Sequence, residues 1–171
     1  MKMLPLAAAV AAVVVSGCAT SPETLSCMQP NRRVAVEVGG QKPAKAAKTA
    51  KPGAKKPRPE NVMLKALAQG DAAWDYGGAT LKAGGKSELD KLVKTINEGT
   101  RRDKRPTMVK SVIITGHADK HEVEAGKTSV DEERAKAVRD YLVSKGLDPK
   151  VMFWEGRDAS NPVPVTKFCE G

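Results

Sequence analysis

The sequence predicts an α/β fold, an α+β sandwich in which a mixed sheet is covered by helices. Three observations carry that expectation. A β-rich run, Val112-Ile113-Ile114, stands between two stretches whose apolar residues recur at helical spacing. The breaks between these stretches are glycines, glycine pairs or Asn-Pro. A tract of Lys, Ala and Pro without core-forming side chains divides this alternation from the N-terminal segment. A length of 171 residues suits one compact domain with appendages and excludes two large ones. Two Trp, two Tyr and two Phe are too few for a platform that stacks bases, so the formal charge of +9 is not read as nucleic-acid binding.

Residues 1–17 read as an export signal. Met1-Lys2-Met3 gives a positive start, and the apolar run from Leu4 to Val15 is too short to span a bilayer. Val15-Ser16-Gly17-Cys18 resembles the lipobox of bacterial lipoproteins, which implies acylation of Cys18 and a lipid-anchored N-terminus over residues 18–26. A plain secretory signal before an incidental cysteine is the alternative. At about 0.8 kcal/mol per buried methylene, several acyl chains make a lasting anchor. Ala19 stands where Asp would retain the protein at the inner membrane, and resemblance to enterobacterial sorting then implies an outer-membrane, periplasm-facing location. That compartment is oxidising, and Cys27 and Cys169 are left either to bridge or to remain thiols.

Residues 27–40 hold a strand in which Arg33, Ala35 and Glu37 alternate with Val34, Val36 and Val38. Residues 41–60 read as a linker that reaches roughly 25 Å as a coil and about 60 Å as polyproline II. Its six lysines and Arg58 face one acid, Glu60, so it carries +6 of the formal +9. A solubilising spacer and a contact with lipid phosphates or cell-wall acids both fit that charge. Residues 61–171 form the folded domain. Ala73 to Tyr76 is its first strand, ending at Gly77-Gly78. Leu89, Leu92, Val93 and Ile96 mark a helix behind Gly84-Gly85. Val109 to Thr115 is the next strand, stopped by Gly116. Val130, Ala135, Val138 and Leu142 trace a second helix ending before Gly146, and Val151 to Trp154 is a third strand.

Ile113-Ile114-Thr115-Gly116-His117-Ala118-Asp119, Glu132 to Val138, Tyr141-Leu142, Lys145-Gly146, Gly156 and Ser160-Asn161-Pro162-Val163 together resemble the OmpA-like peptidoglycan-binding domain over about residues 70 to 164. The resemblance implies a βαβαβ core and non-covalent binding of peptidoglycan through the diaminopimelate of its stem peptide. The end of that ligand is a zwitterion. Asp119 is the expected partner of the ammonium and Arg134 of the carboxylate, with Gly116, His117 and Lys127 as supporting candidates. Read without the resemblance, Asp119 is a loop cap, and Arg134 pairs with Glu133 or Asp131 on the surface. Lys127 stands where the family usually has Asn, so affinity or stem-peptide preference is expected to differ.

The family's last strand, of the Arg-Arg-Val-Glu type behind a cysteine, has no counterpart after the Asn-Pro loop. Cys27 to Val38 resembles it instead. The resemblance therefore implies a circularly permuted domain, in which residues 41–60 join the family's usual end to its usual beginning. It also implies a Cys27–Cys169 bridge, worth about 5 kcal/mol on the chain-entropy model. The expected function is a lipoprotein tether between outer membrane and cell wall, with an envelope protein-interaction or assembly module of little wall affinity as the alternative. No cofactor is implied. Two histidines are too few for a zinc cluster, and no nucleophile with its base or spaced carboxylate pair stands out, so an enzyme is not expected.

Overall fold

The computed structural model describes residues 22–45 and 58–165. The export signal, Cys18, the middle of the Lys/Ala/Pro tract and Cys169 lie outside the described residues. The elements are α1 (Pro22–Met28), a 3-10 turn (Gln29–Asn31), β1 (Arg33–Lys42), β2 (Glu60–Gln69), α2 (Ala83–Glu98) and β3 (Met108–His117). They continue with α3 (Lys120–Glu124), α4 (Val130–Ser144), a second 3-10 turn (Pro149–Val151) and β4 (Met152–Gly156). One mixed sheet runs β2-β1-β3-β4, with β1 antiparallel to both its neighbours and β4 parallel to β3.

Period-two burial builds the sheet. In β1, Val34, Val36 and Val38 are fully buried while Arg33, Ala35 and Glu37 face the other way. Val112 and Ile114 of β3, Ala68 of β2 and Met152 of β4 join the same inner face. The predicted stripes of both long helices close it: Leu89, Leu92, Val93 and Ile96 from α2, and Ala135, Val138 and Leu142 from α4. Full burial of each Val, Leu or Ile stabilises by about 1.5–3 kcal/mol. Both helices lie on this one face, so the sandwich has two layers. On the open face Met63, Leu67, Ile113 and Phe153 are exposed.

Four expectations need correction. Ala73 to Tyr76 is not a strand but a turn and loop. Ala73 and Trp74 are adjacent and both buried, which a half-buried strand forbids, and the Trp74 indole Nε1 donates to the Ala68 carbonyl at 3.0 Å. The strand lies earlier, as β2, in residues read as linker end and unassigned chain. Leu64, Ala66 and Ala68 face inward there, opposite Val38, Val36 and Val34 of β1. The linker is also shorter than 41–60: Gln41 and Lys42 end β1, Glu60 begins β2, and Lys42 pairs across the ladder with Glu60. The two ends of the tract are thus cross-strand neighbours, and it closes a hairpin instead of covering 25 to 60 Å. Asp103 and Arg105 fasten that end, Lys42 Nζ reaching Asp103 at 3.3 Å and Arg105 bonding both Asp103 at 2.7 Å and Glu60 at 2.8 Å. Finally, residues 22–28 are helical, so most of the expected N-terminal tail belongs to α1. Cys27 sits in it and is disulfide-bonded.

Candidate functional site

Asp119 follows the C-terminal end of β3, and Arg134 lies one turn into α4. Their approach depends on Gly116. A Cβ there would run into the backbone carbonyl of Asp131, and only glycine lets the start of α4 come so close to the sheet. Asp131 is fixed in turn by the Asp158 N–H, which donates to its carboxylate at 2.7 Å.

Asp119 is the N-cap of α3. Its Oδ1 accepts from the Glu122 N–H at 2.8 Å, while Glu122 Oε2 accepts from the Asp119 N–H at 2.9 Å, a reciprocal capping box. The expectation of a loop cap therefore describes one thing Asp119 does. Its other oxygen faces Arg32, whose Nη1 donates to Oδ2 at 3.1 Å. Arg32 also donates to the Leu25 carbonyl at 3.3 Å and pairs with Asp71.

Arg134 pairs with neither Glu133 nor Asp131. Its guanidinium grips Glu122 with a two-pronged fork, Nη2 to Oε1 at 2.6 Å and Nη1 to Oε2 at 2.9 Å. Three carbonyls take its remaining donors: Gly78 from Nε at 2.8 Å, Asp75 from Nη2 at 3.1 Å and His117 from Nη1 at 3.3 Å. All five guanidinium N–H groups are thereby satisfied inside the chain. The Gly77 N–H, at 2.7 Å from Oε1, completes the shell of Glu122. Asp119, Glu122 and Arg134 side chains have no exposed surface, and Arg32 keeps 2%.

Sequence reasoning thus named two members of a network of five. Asp71, Arg32 and Asp119 form one run of opposite charges and Glu122 and Arg134 a second, with the two acids Asp119 and Glu122 joined through the cap. Burial pushes the Asp119 carboxyl above its usual range; the Glu122 N–H and Arg32 offset this in part, and the charge of Glu122 adds to it. For Glu122, burial also acts upward and is the largest influence, but the Arg134 fork and the N–H groups of Asp119 and Gly77 overcome it, leaving the carboxyl below its usual range.

The supporting candidates fall in different places. The carbonyl of His117 accepts from Arg134, while its ring is buried and held below its usual pKa, by burial first and then by the charge of Arg33. Lys127 is exposed at the rim, its aliphatic carbons beside Gly77. Among the described residues, no group of three His, Cys, Asp or Glu could hold a metal ion, and no helix is long and apolar enough to cross a membrane.

A two-layer domain with a mixed four-stranded sheet, carrying a buried pair of opposite charges where β3 meets α4, defines the class. The model of the OmpA family matches residues 73–168, and the chain belongs to that family. Outer membrane protein A of Bordetella avium is 31% identical over 116 residues, covering 68% of this chain and 56% of that protein. Outer membrane protein A of Shigella flexneri is 31% identical over 107 residues, covering 63% of this chain and 29% of its own length. The chain therefore spans about half or less of these relatives. Among solved structures, the OmpA-like domain of FopA1 from Francisella tularensis subsp. tularensis aligns with a TM-score of 0.44 at 25% identity, over 58% of this chain and 61% of that one.

Proposed function

We propose that this chain is a non-enzymatic lipoprotein of the outer membrane that binds peptidoglycan non-covalently, through the diaminopimelate head of the stem peptide, and so ties membrane to wall. One observation carries the reading: Arg134 already holds a carboxylate in a fork and Asp119 already holds a cation, about as a zwitterionic head would be held. Family membership and relatives named for the outer membrane support the envelope location. In this reading Cys18 bears the lipid, and Ala19 to Ser21 alone separate it from α1, about 10 Å at full extension. The domain then works close to its membrane. β1 is read as the family's last strand moved to the front, an interior strand reached before the hairpin tract instead of after the Asn-Pro loop, with Cys27 and Cys169 bridging the new ends.

Full burial of the Asp119 and Arg134 side chains favours a second reading, an envelope protein-interaction or assembly module with little wall affinity. Sedimentation with purified sacculi separates the two. The wild type is expected to co-sediment, and Asp119→Asn with Arg134→Lys, folded by circular dichroism, to lose most of that retention, because Lys keeps the charge without the fork. Equal retention of the double variant sinks the site. Intact mass of protein extracted from membranes tests the rest: a species beginning at an acylated Cys18 and carrying one disulfide is expected, and free thiols at both Cys27 and Cys169 would remove the main support for permutation.

A further inference from the structure

The carboxylate on Arg134 belongs to the chain itself. Glu122 uses all four of its acceptor positions: two on the Arg134 fork, one on the Gly77 N–H and one on the Asp119 N–H. No guanidinium donor of Arg134 is left over, so an outside carboxylate gains the fork only by displacing Glu122. The element that delivers Glu122 is weakly held. α3 has five residues, and Glu122 is the single buried one among them. Lys120 and Glu124 are exposed, and outside the Glu122 side chain and the cap α3 is tied by the Tyr76 hydroxyl, which donates to the His121 carbonyl at 3.1 Å, and by the Lys127 N–H, which donates to the Glu122 carbonyl at 2.9 Å. Beyond α3, Gly126 takes a φ of +76° with nothing within 4 Å of where a Cβ would stand, which leaves room for a pivot. Arg32 fills the complementary place, as the cation on Asp119.

Resting on the zwitterion reading above, we propose that Glu122 is a built-in competitor for the ligand's carboxylate, with Arg32 as its counterpart for the ammonium, so that stem peptide binds by levering α3 off the site. The exchange replaces one carboxylate on Arg134 by another, and the apparent affinity is lowered by the fraction of molecules in which Glu122 stays in place. A stem peptide lacking either the carboxylate or the ammonium cannot replace both internal partners, which makes the pair a filter as well as a lock.

Free meso-diaminopimelate titrated calorimetrically into the full mature chain tests this. Glu122→Ala removes the competitor and is expected to tighten binding roughly tenfold or more. Glu122→Gln keeps the volume and the cap while weakening the fork, and is expected to fall between Glu122→Ala and the wild type. In the wild type, amides of residues 120–126 are expected to exchange faster with ligand bound, which a purely structural Glu122 does not produce. Folded Glu122 variants that bind no tighter than a wild type still weakened by Asp119→Asn overturn the lock and leave the binding site standing. No binding by any form overturns both. Should the Glu122 variants fail to fold, unchanged or greater protection of residues 120–126 in the liganded wild type overturns the proposal.

Discussion

Gly116→Ala is expected to cost at least about 3 kcal/mol, at or beyond the upper end of the usual range for overpacking. The methyl group would point to the inner face of β3 and meet the backbone carbonyl of Asp131, with the Ala135 side chain 3.3 Å away on the next turn. A flexible side chain would yield at small cost, but this is the first turn of α4, whose face is the core stripe Ala135, Val138 and Leu142. Relief therefore lifts the start of the helix off the sheet. It also moves Arg134 relative to Asp119, so loss of sacculus binding should accompany the loss of stability. Gly126→Ala is the control: nothing lies near its Cβ position, the penalty comes from φ alone, and about 1 kcal/mol is expected. Urea midpoints for the two variants test the contrast, and equal midpoints would refute the steric account.

Helical spacing made α2 and α4 legible, because apolar residues recurring at that period gather on one side of the chain only when it is helical. β1 was legible for the same reason at period two, its three valines against Arg33, Ala35 and Glu37. β2 was not. Met63, Leu64, Lys65, Ala66, Leu67, Ala68 and Gln69 are good helix formers, and apolar residues occur on both of its faces, so local preference and alternation both fail to announce a strand. What makes it one is the ladder to β1, an interaction across a tract of lysines and prolines that no local window contains. Trp74 misled in the opposite direction. An aromatic beside alanines before a glycine pair looks like a strand end, whereas its burial comes from a turn that folds the indole beneath the end of β2.

At the site, the motif around Gly116-His117-Ala118-Asp119 and the Arg-Ala helix brought two residues to attention and left their internal partners unnamed. Asp119-Lys120-His121-Glu122 does satisfy the capping-box pattern, acceptor at the cap and Glu three residues on, and that signal predicts a helix start and a hydrogen-bonded Glu122. It does not predict the Arg134 fork, which depends on tertiary geometry. Arg32 was hidden for another reason. It is the residue before β1, where strand alternation says nothing, and its partner Asp119 is 87 positions away.

Arg134→Ala is expected to destabilise by about 3–5 kcal/mol, the usual cost of breaking a buried ion pair from one side. The loss strands the Glu122 carboxylate without its fork and takes the donor from the carbonyls of Asp75, Gly78 and His117. Glu122→Ala should cost less, since Arg134 keeps those three carbonyls while the fork, the reciprocal half of the cap and the Gly77 N–H bond are lost. Removing both partners should then cost less than the two single losses added together, with a coupling of about 0.5–3 kcal/mol in a double-mutant cycle. The pH dependence sharpens the test. Glu122 lies below its ordinary value of 4.5, so its contribution to the wild type is fully present above that value and lost as pH falls through the lowered one. In Arg134→Ala the same carboxyl, buried without a cation, moves upward, and protonating it removes the penalty. Asp119, raised above 3.8 by burial, contributes in the opposite sense, its part present at low pH and lost as pH rises; it does so in both proteins and largely cancels. The stability gap between wild type and Arg134→Ala should therefore be widest near pH 7 and narrow toward pH 4. A gap independent of pH would mean that the Arg134 contribution is its bonds to the three carbonyls and its packing on Trp74, whose ring centroid lies 5.7 Å from the guanidinium carbon, and not its hold on Glu122.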